Sequence, residues 1–206
     1  MKLYYAPGAC SLAPHIALRE AGLPCSLVRV DLETHRTEQG EDYYQLNPTG
    51  YVPLLELDDG ERLTECPALL QYIADQVPDL GLAPLPGTLP RYRLQQWLNF
   101  ISSELHKGFG ALYDPRLREA AGEILREILD QRLEVTASRL QGRPFLLGEQ
   151  FTVADAYLFT VLGWAPLLEY DLGPWPVFAQ YQQHIATRAG VQKALRAEGL
   201  LDDAGG

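Results

Sequence analysis

Basic charge is scarce in this chain of 206 residues: 17 Lys and Arg stand against 27 Asp and Glu, a formal net charge of −10 at pH 7. No Lys/Arg cluster offsets that imbalance locally. Nucleic acid and anionic membrane surfaces are gripped by concentrated basic patches, so both are excluded as expected partners. Cysteine is nearly as sparse. Cys10, Cys25 and Cys66 are an odd number, too few for a disulfide framework, and their spacings of 15 and 41 residues match no zinc pattern. Four scattered histidines add no metal site. Long apolar runs are missing as well, and Met1 to Pro7 lacks the apolar stretch and cleavage pattern of a secretory leader. The expected compartment is the reducing cytoplasm. An anionic ligand needs a local site.

What is present is an ordinary globular composition, 47% hydrophobic, enough to bury a sizeable core in one or two domains. Apolar runs predict a strand over 2–5, a helix over 11–21, a strand over 26–30 and a short helical stretch from Glu41 to Leu46. A hairpin follows, Val52 to Leu57 and Glu61 to Thr64 around Asp58-Asp59-Gly60, because Asp-Gly supplies the positive φ such a turn needs. A third helical run covers Glu65 to Gln76. The outline is βαβ-ββα.

Four prolines and two glycines between Pro78 and Pro90 read as a linker. Beyond it the pattern is helical, roughly over 89–113, 116–140, 152–169, 175–188 and 190–198, with Leu201 to Gly206 as a frayed tail. The division is residues 1–78, a linker over 79–88, and an all-α part over 89–206.

Pro7-Gly8-Ala9-Cys10-Ser11 places a thiol and a hydroxyl where the first strand hands over to a helix. Unpaired N–H groups and partial positive charge at a helix start favour an ionised sulfur, so Cys10 is a candidate for holding, activating or exchanging with a thiol. The plain reading is a buried filler at Cys10 and an N-cap at Ser11. Pro53 reads as a strand-start proline; a cis Val52–Pro53 bond, turning the Val52 backbone toward an extended peptide, is the less common alternative.

Thr64-Glu65-Cys66-Pro67 opens a second helix on the same side of the sheet. Its N–H groups suit a ligand carboxylate and Glu65 suits a ligand ammonium, the two ends of an α-amino acid; the plain role of Glu65 is to complement the helix dipole. On the first helix of the second part, Trp97, Leu98, Ile101 and Leu105 form one stripe, and Asn99, Ser102, Ser103, His106 and Tyr113 another, with Asn99, Ser103, His106 and Tyr113 on one side at steps of three, four and seven. His106 can donate to a thiolate, or as a cation lower its pKa, with Lys107 adding positive field; solvated surface is the alternative. Thr152 and Asp155 have the spacing of a capping box, a structural feature, and Tyr157 and Trp164 read first as core.

Taken together, the thiol at the first helix, Val52-Pro53 before a hairpin, Glu65 at the third helical run, the proline-rich linker, the all-α half and the Thr152–Asp155 box resemble the cytosolic glutathione transferases over almost the whole chain. Cys10 with His106-Lys107 resembles the bacterial beta class. The resemblance implies a thioredoxin-like α/β N-terminal domain, an all-α C-terminal bundle, a homodimer, and glutathione as substrate with no metal or other cofactor.

It also implies a site. Val52 pairs with the cysteinyl backbone of glutathione beside Pro53, Glu65 and Cys66 hold the γ-glutamyl end, and the sulfur lies beside Cys10, Ser11 and His106. Tyr5 shares the catalytic candidacy, His35 or Arg36 meets the glycine carboxylate, Lys107 adds charge, and Asn99 and Glu104 reach across the dimer interface. An apolar electrophile lies against Ala9, Phe109, Leu112, Tyr113 and Trp164. One departure stands out, since Cys66 occupies a position usually held by serine, a better hydrogen-bond donor. The expected reaction is attack of the glutathione thiolate on the electrophile. The alternatives are a thiol–disulfide reductase or peroxidase working through Cys10, and a non-catalytic carrier of apolar compounds.

Overall fold

The computed structural model describes residues 1–201; residues 202–206, most of the expected tail, lie outside the described residues. Strand β1 (Lys2–Tyr5) is the centre of a five-stranded sheet of order β3-β2-β1-β4-β5. It runs parallel to β2 (Ser26–Asp31) with Leu3 opposite Leu27, and antiparallel to β4 (Leu54–Glu56) with Leu3 opposite Leu55. Strand β5 (Arg62–Thr64) closes one edge against β4, and a two-residue strand, β3 (Arg36–Thr37), which the apolar pattern does not reveal, closes the other against β2.

Alternation along β1 divides its side chains between two faces. Leu3 and Tyr5 enter the main core with Leu55, while Tyr4 and Ala6 join Val28, Val30, Val52 and Leu54 around the buried Tyr43 on the other side. Tyr43 belongs to a 3₁₀ turn (Tyr43–Gln45), capped by the Asp42 side chain, within the predicted stretch from Glu41 to Leu46.

Helix α1 (Leu12–Ala21) crosses from β1 to β2 and is buried at every position from Leu12 to Leu18. It packs against α2 (Cys66–Asp75) and also against α6 (Val153–Leu162) and α8 (Ala189–Ala197), so no face is left for water. One apolar core therefore runs from Leu3 through Ile16 and Leu70 to Val161 and Ala194.

The proline-rich connection is fastened. Leu82 is buried and its carbonyl accepts the Val153 N–H at 2.9 Å, while Arg91 binds both carboxylate oxygens of Asp75, at 2.8 and 2.7 Å, and the Pro84 carbonyl at 3.1 Å.

The predicted helix over 89–113 is one rod with a change of winding: α3 (Leu89–Phe100), a π-helical segment (Ile101–His106), then α4 (Lys107–Tyr113). Helix α5 (Pro115–Leu140) breaks its regular winding at Ala121, and α7 (Pro176–Ala186) precedes α8. The helix predicted over 152–169 stops at Leu162 and resumes only as a 3₁₀ turn, Pro166–Leu168. Its start holds the expected box: one oxygen of buried Asp155 accepts the Thr152 N–H at 2.8 Å and its hydroxyl at 3.0 Å, and the other accepts the Leu146 N–H at 2.7 Å and the Tyr181 hydroxyl at 3.0 Å.

Candidate active site

A cavity of about 470 Å³ opens between the carboxyl end of β1, the Asn47–Pro53 segment, the start of α2 and the rod through α3 and α4. That volume suits a small organic ligand. Of the residues proposed from sequence, Ala9, Cys10, Val52, Pro53, Glu65, Cys66, His106 and Lys107 line it.

The two thiols sit together at its base. The Cys10 thiol donates to the Val52 carbonyl at 3.1 Å, and the buried Cys66 thiol donates to the Cys10 carbonyl at 3.4 Å. Burial, with the neighbouring Cys10 thiol next, pushes the Cys66 pKa well above the ordinary value and keeps that sulfur protonated. Glu65, the residue before α2, has φ +68, a conformation that non-glycine residues rarely adopt and that clusters at functional sites. Pro67 follows within the first turn, as expected.

The Val52–Pro53 peptide is cis, correcting the expectation of an ordinary strand-start proline. Polar groups fix the approach to it: the Tyr51 carbonyl accepts from the Asn47 amide at 2.7 Å and the Tyr43 hydroxyl at 2.9 Å, and the Val52 side chain is buried.

The π segment decides which helical residues reach the cavity. In a regular α-helix Asn99, Ser103, His106 and Tyr113 share a face; the wider winding rephases the rod, so that Ser102, His106, Lys107, Gly110 and Ala111 line the cavity instead. Asn99 is exposed, and Tyr113 is half-exposed beside the Trp164 ring. Glu104 pairs with Arg132 of α5 at 2.6 Å, away from the cavity.

His106 Nδ1 lies 2.7 Å from the hydroxyl of Tyr157, a buried residue of α6 that also lines the cavity. Burial, and then the Lys107 charge, lower the imidazole pKa to about 4, so His106 is neutral near pH 7; this corrects the imidazolium alternative. Burial raises the Tyr157 pKa far above its ordinary value and keeps the phenol protonated. Trp164 backs the arrangement from outside the cavity, its ring edge-on to His106 with centroids 4.9 Å apart and its indole N–H on the Gly8 carbonyl at 2.8 Å. Lys107 reaches across the mouth, with Nζ 6.0 Å from the centre of the exposed Tyr51 ring.

Other proposed residues lie elsewhere, for local reasons. Ser11 is fully buried and its hydroxyl both accepts from the Ala6 N–H and donates to the Ala6 carbonyl, at 3.2 Å, which ties the turn and removes it from the sulfur site. Tyr5 is buried in the main core with its ring near His15, and burial raises its pKa. Phe109 and Leu112 are fully buried on the inner face of α4, Phe109 against Tyr170. His35 packs its ring on Tyr44 with centroids 4.5 Å apart, beside Gly50, and Arg36 bonds to the Gly40 carbonyl. Gly50, at φ +72, is required there, because a Cβ would lie 2.7 Å from the Tyr44 ring and 2.9 Å from His35 Nδ1.

Sequence reasoning missed Asn47, Thr49 and Tyr51 as lining residues, gave Ser102 a place on the polar stripe but no role, and weighed Tyr157 chiefly as core. Steps of four from His106 and Lys107 reach Gly110 and Ala111 and were an available signal.

A βαβ-ββα sheet whose thiol-bearing helix starts open on a cavity walled by a helical half is the build of a thioredoxin-like enzyme that handles thiols. Family comparison is specific: the model described as "Glutathione S-transferase, N-terminal domain" matches residues 8–76, and "Glutathione S-transferase, C-terminal domain" matches residues 100–189. Glutathione S-transferase GstA of Escherichia coli O157:H7 is 48% identical, covering 97% of this chain and 100% of that protein. A ternary complex of BphK, a bacterial glutathione S-transferase, superposes with a TM-score of 0.95 at 56% identity, covering 97% and 100% of the two chains. A beta class enzyme of Sphingomonas chungbukensis follows with a TM-score of 0.91 at 46% identity, covering 98% and 100%. The chain belongs to the glutathione S-transferase family and is an enzyme of that type.

Proposed function

We propose that the cavity binds glutathione and that its thiolate attacks an apolar electrophile held beside it. The observation that carries this reading is the convergence of Cys10, Val52, Glu65, Cys66 and His106 on one cavity. A sphingomonad glutathione S-transferase solved in complex with glutathione shares the fold with a TM-score of 0.92 at 48% identity, covering 98% of this chain and 100% of that one.

The γ-glutamyl group lies at the start of α2, its ammonium on the Glu65 carboxylate and its carboxylate on backbone N–H groups. The cysteinyl backbone pairs with Val52 as an added strand. The glycine carboxylate turns to Lys107, the one cation among the described lining residues. A protonated Tyr157 hydroxyl donating to His106 Nδ1 leaves the proton on Nε2, which donates to the glutathione sulfur. Neutral His106 thus stabilises the thiolate as a hydrogen-bond donor, and the thiolate displaces the leaving group of the electrophile or adds to it. The electrophile rests on Ala9, Gly110 and Ala111, whose small side chains leave room. The protein works as a homodimer in which exposed Asn99 and half-buried Glu104 approach the partner's cavity.

Calorimetric titration of the reduced protein with glutathione tests the reading. Saturable binding, followed by turnover of members of a panel of apolar electrophiles, supports it. No heat at millimolar glutathione overturns it.

A further inference from the structure

The Cys66 thiol has no part in the conjugation described above, yet it is buried at the first position of α2 and donates, at 3.4 Å, to the carbonyl of Cys10 itself. Its sulfur lies against the backbone of a residue that lines the cavity. Cys10 and Cys66 line the same cavity, and the Cys10 thiol is a direct neighbour that perturbs the Cys66 thiol. Cys25, by contrast, donates to the Ser26 carbonyl and is not among the residues lining that cavity.

We propose that Cys10 and Cys66 are a reversible dithiol pair that exchanges with glutathione disulfide at the base of the cavity. The proposal rests on the glutathione reading, because the disulfide enters through the subsite that holds one glutathione. Cys10 attacks one sulfur of glutathione disulfide; the disulfide bond breaks, a Cys10–glutathione bond forms, and one glutathione leaves carrying the Cys10 proton. Cys66 then attacks the Cys10 sulfur, a Cys10–Cys66 bond forms, and the second glutathione leaves carrying the Cys66 proton. Two protein thiols are oxidised and one glutathione disulfide is reduced to two glutathiones. The reverse sequence restores the dithiol when glutathione is in excess.

Two consequences follow. The oxidised pair removes the Cys10 thiol from Val52 and blocks the sulfur site, so conjugation tracks the glutathione to glutathione disulfide ratio. Resolution is slower than the first exchange near neutral pH, because burial first, then the neighbouring Cys10 and Glu65, keep the Cys66 sulfur mostly protonated.

The test is intact-mass analysis and peptide mapping of the full chain equilibrated with glutathione and glutathione disulfide, for the native protein, Cys66→Ser and Cys10→Ala. The native protein is expected to lose two hydrogens through a Cys10–Cys66 bond. Cys66→Ser is expected to stop at one glutathione on Cys10, and Cys10→Ala to stay unmodified. A native protein that accumulates the mixed disulfide as fully as Cys66→Ser overturns the proposal, as does a bond involving Cys25. Calorimetry with reduced glutathione separates the two readings. If glutathione binds but Cys66→Ser takes up none from its disulfide, the exchange is overturned and the binding site stands. If glutathione does not bind, oxidised dithiothreitol is the probe, and its failure to join Cys10 to Cys66 overturns the pair.

Discussion

Glu198, which follows α8, places Oε1 2.8 Å from Nδ1 of His15 in α1, both side chains buried and 183 residues apart in sequence. The other oxygen of Glu198 accepts the Gly8 N–H at 2.9 Å. Gly8 is also held through its carbonyl by Trp164. The turn that presents Cys10 is therefore clamped from the far end of the chain, by two side chains of the helical half.

Glu198→Ala removes the partner of a buried imidazole and of a backbone N–H together. Breaking a buried hydrogen-bonded pair costs of the order of 3 kcal/mol. Thermal unfolding should register that loss, and glutathione binding should weaken as well, because the Gly8 turn loses one of its two anchors. Unchanged binding in a destabilised protein would limit Glu198 to stability.

Removing the His106 side chain takes away the donor that stabilises the thiolate. A hydrogen bond to a charged group contributes about 1.5–3 kcal/mol, so conjugation by His106→Ala should fall roughly 10- to 100-fold at neutral pH. At high pH glutathione ionises without help, and the deficit should shrink. Pre-steady-state conjugation rates measured against pH for both proteins check this; an equal deficit at every pH would exclude thiolate stabilisation.

The same histidine sets a stability profile. Its folded pKa is lowered to about 4 by burial, below the ordinary value of 6.5, so between those limits the unfolded chain binds the extra proton. Stability contributed by this group is present above 6.5, falls as pH drops and levels off near 4. Denaturant unfolding of the native protein and of His106→Asn across this window should give curves whose separation changes with pH in that direction.

Tyr157→Phe keeps the ring and deletes the hydroxyl 2.7 Å from His106 Nδ1. The imidazole then loses its tautomer bias, and conjugation should fall by less than for His106→Ala, about 5- to 10-fold for one neutral hydrogen bond. Both residues act through one proton position, so the double variant should be no slower than His106→Ala. Additive losses would place Tyr157 outside the donor chain.

Four of the five strands were legible as short runs bounded by turn residues, and the start of α2 because Pro67 marks a first turn; β3, two polar residues, Arg36 and Thr37, leaves no such run. Cys10, Val52, Glu65, Cys66, His106 and Lys107 were legible through motif and resemblance. Phe109 and Leu112 were placed against the electrophile, whereas the inner face of α4 buries them fully and the same helix turns Lys107, Gly110 and Ala111 to the cavity. Ser11 and Tyr5 failed differently: the Ser11 hydroxyl is already used by its own turn, and Tyr5 packs its ring into the main core beside His15.

Asp155 shows how far the capping box extends beyond its motif. Its carboxylate takes the Thr152 N–H and hydroxyl, the Leu146 N–H and the Tyr181 hydroxyl, and so joins the start of α6 to the preceding loop and to α7. Loss of an N-cap alone costs about 1 kcal/mol, and each buried donor left without an acceptor about 1–3 kcal/mol more. Asp155→Ala should therefore destabilise the protein well beyond Thr152→Ala, which leaves the Leu146 and Tyr181 bonds in place. Urea midpoints for the two variants decide the matter: equal shifts would mean that Asp155 is only a cap, whereas a several-fold larger shift for Asp155→Ala would identify it as the junction that keeps α6, and with it Tyr157, against the cavity.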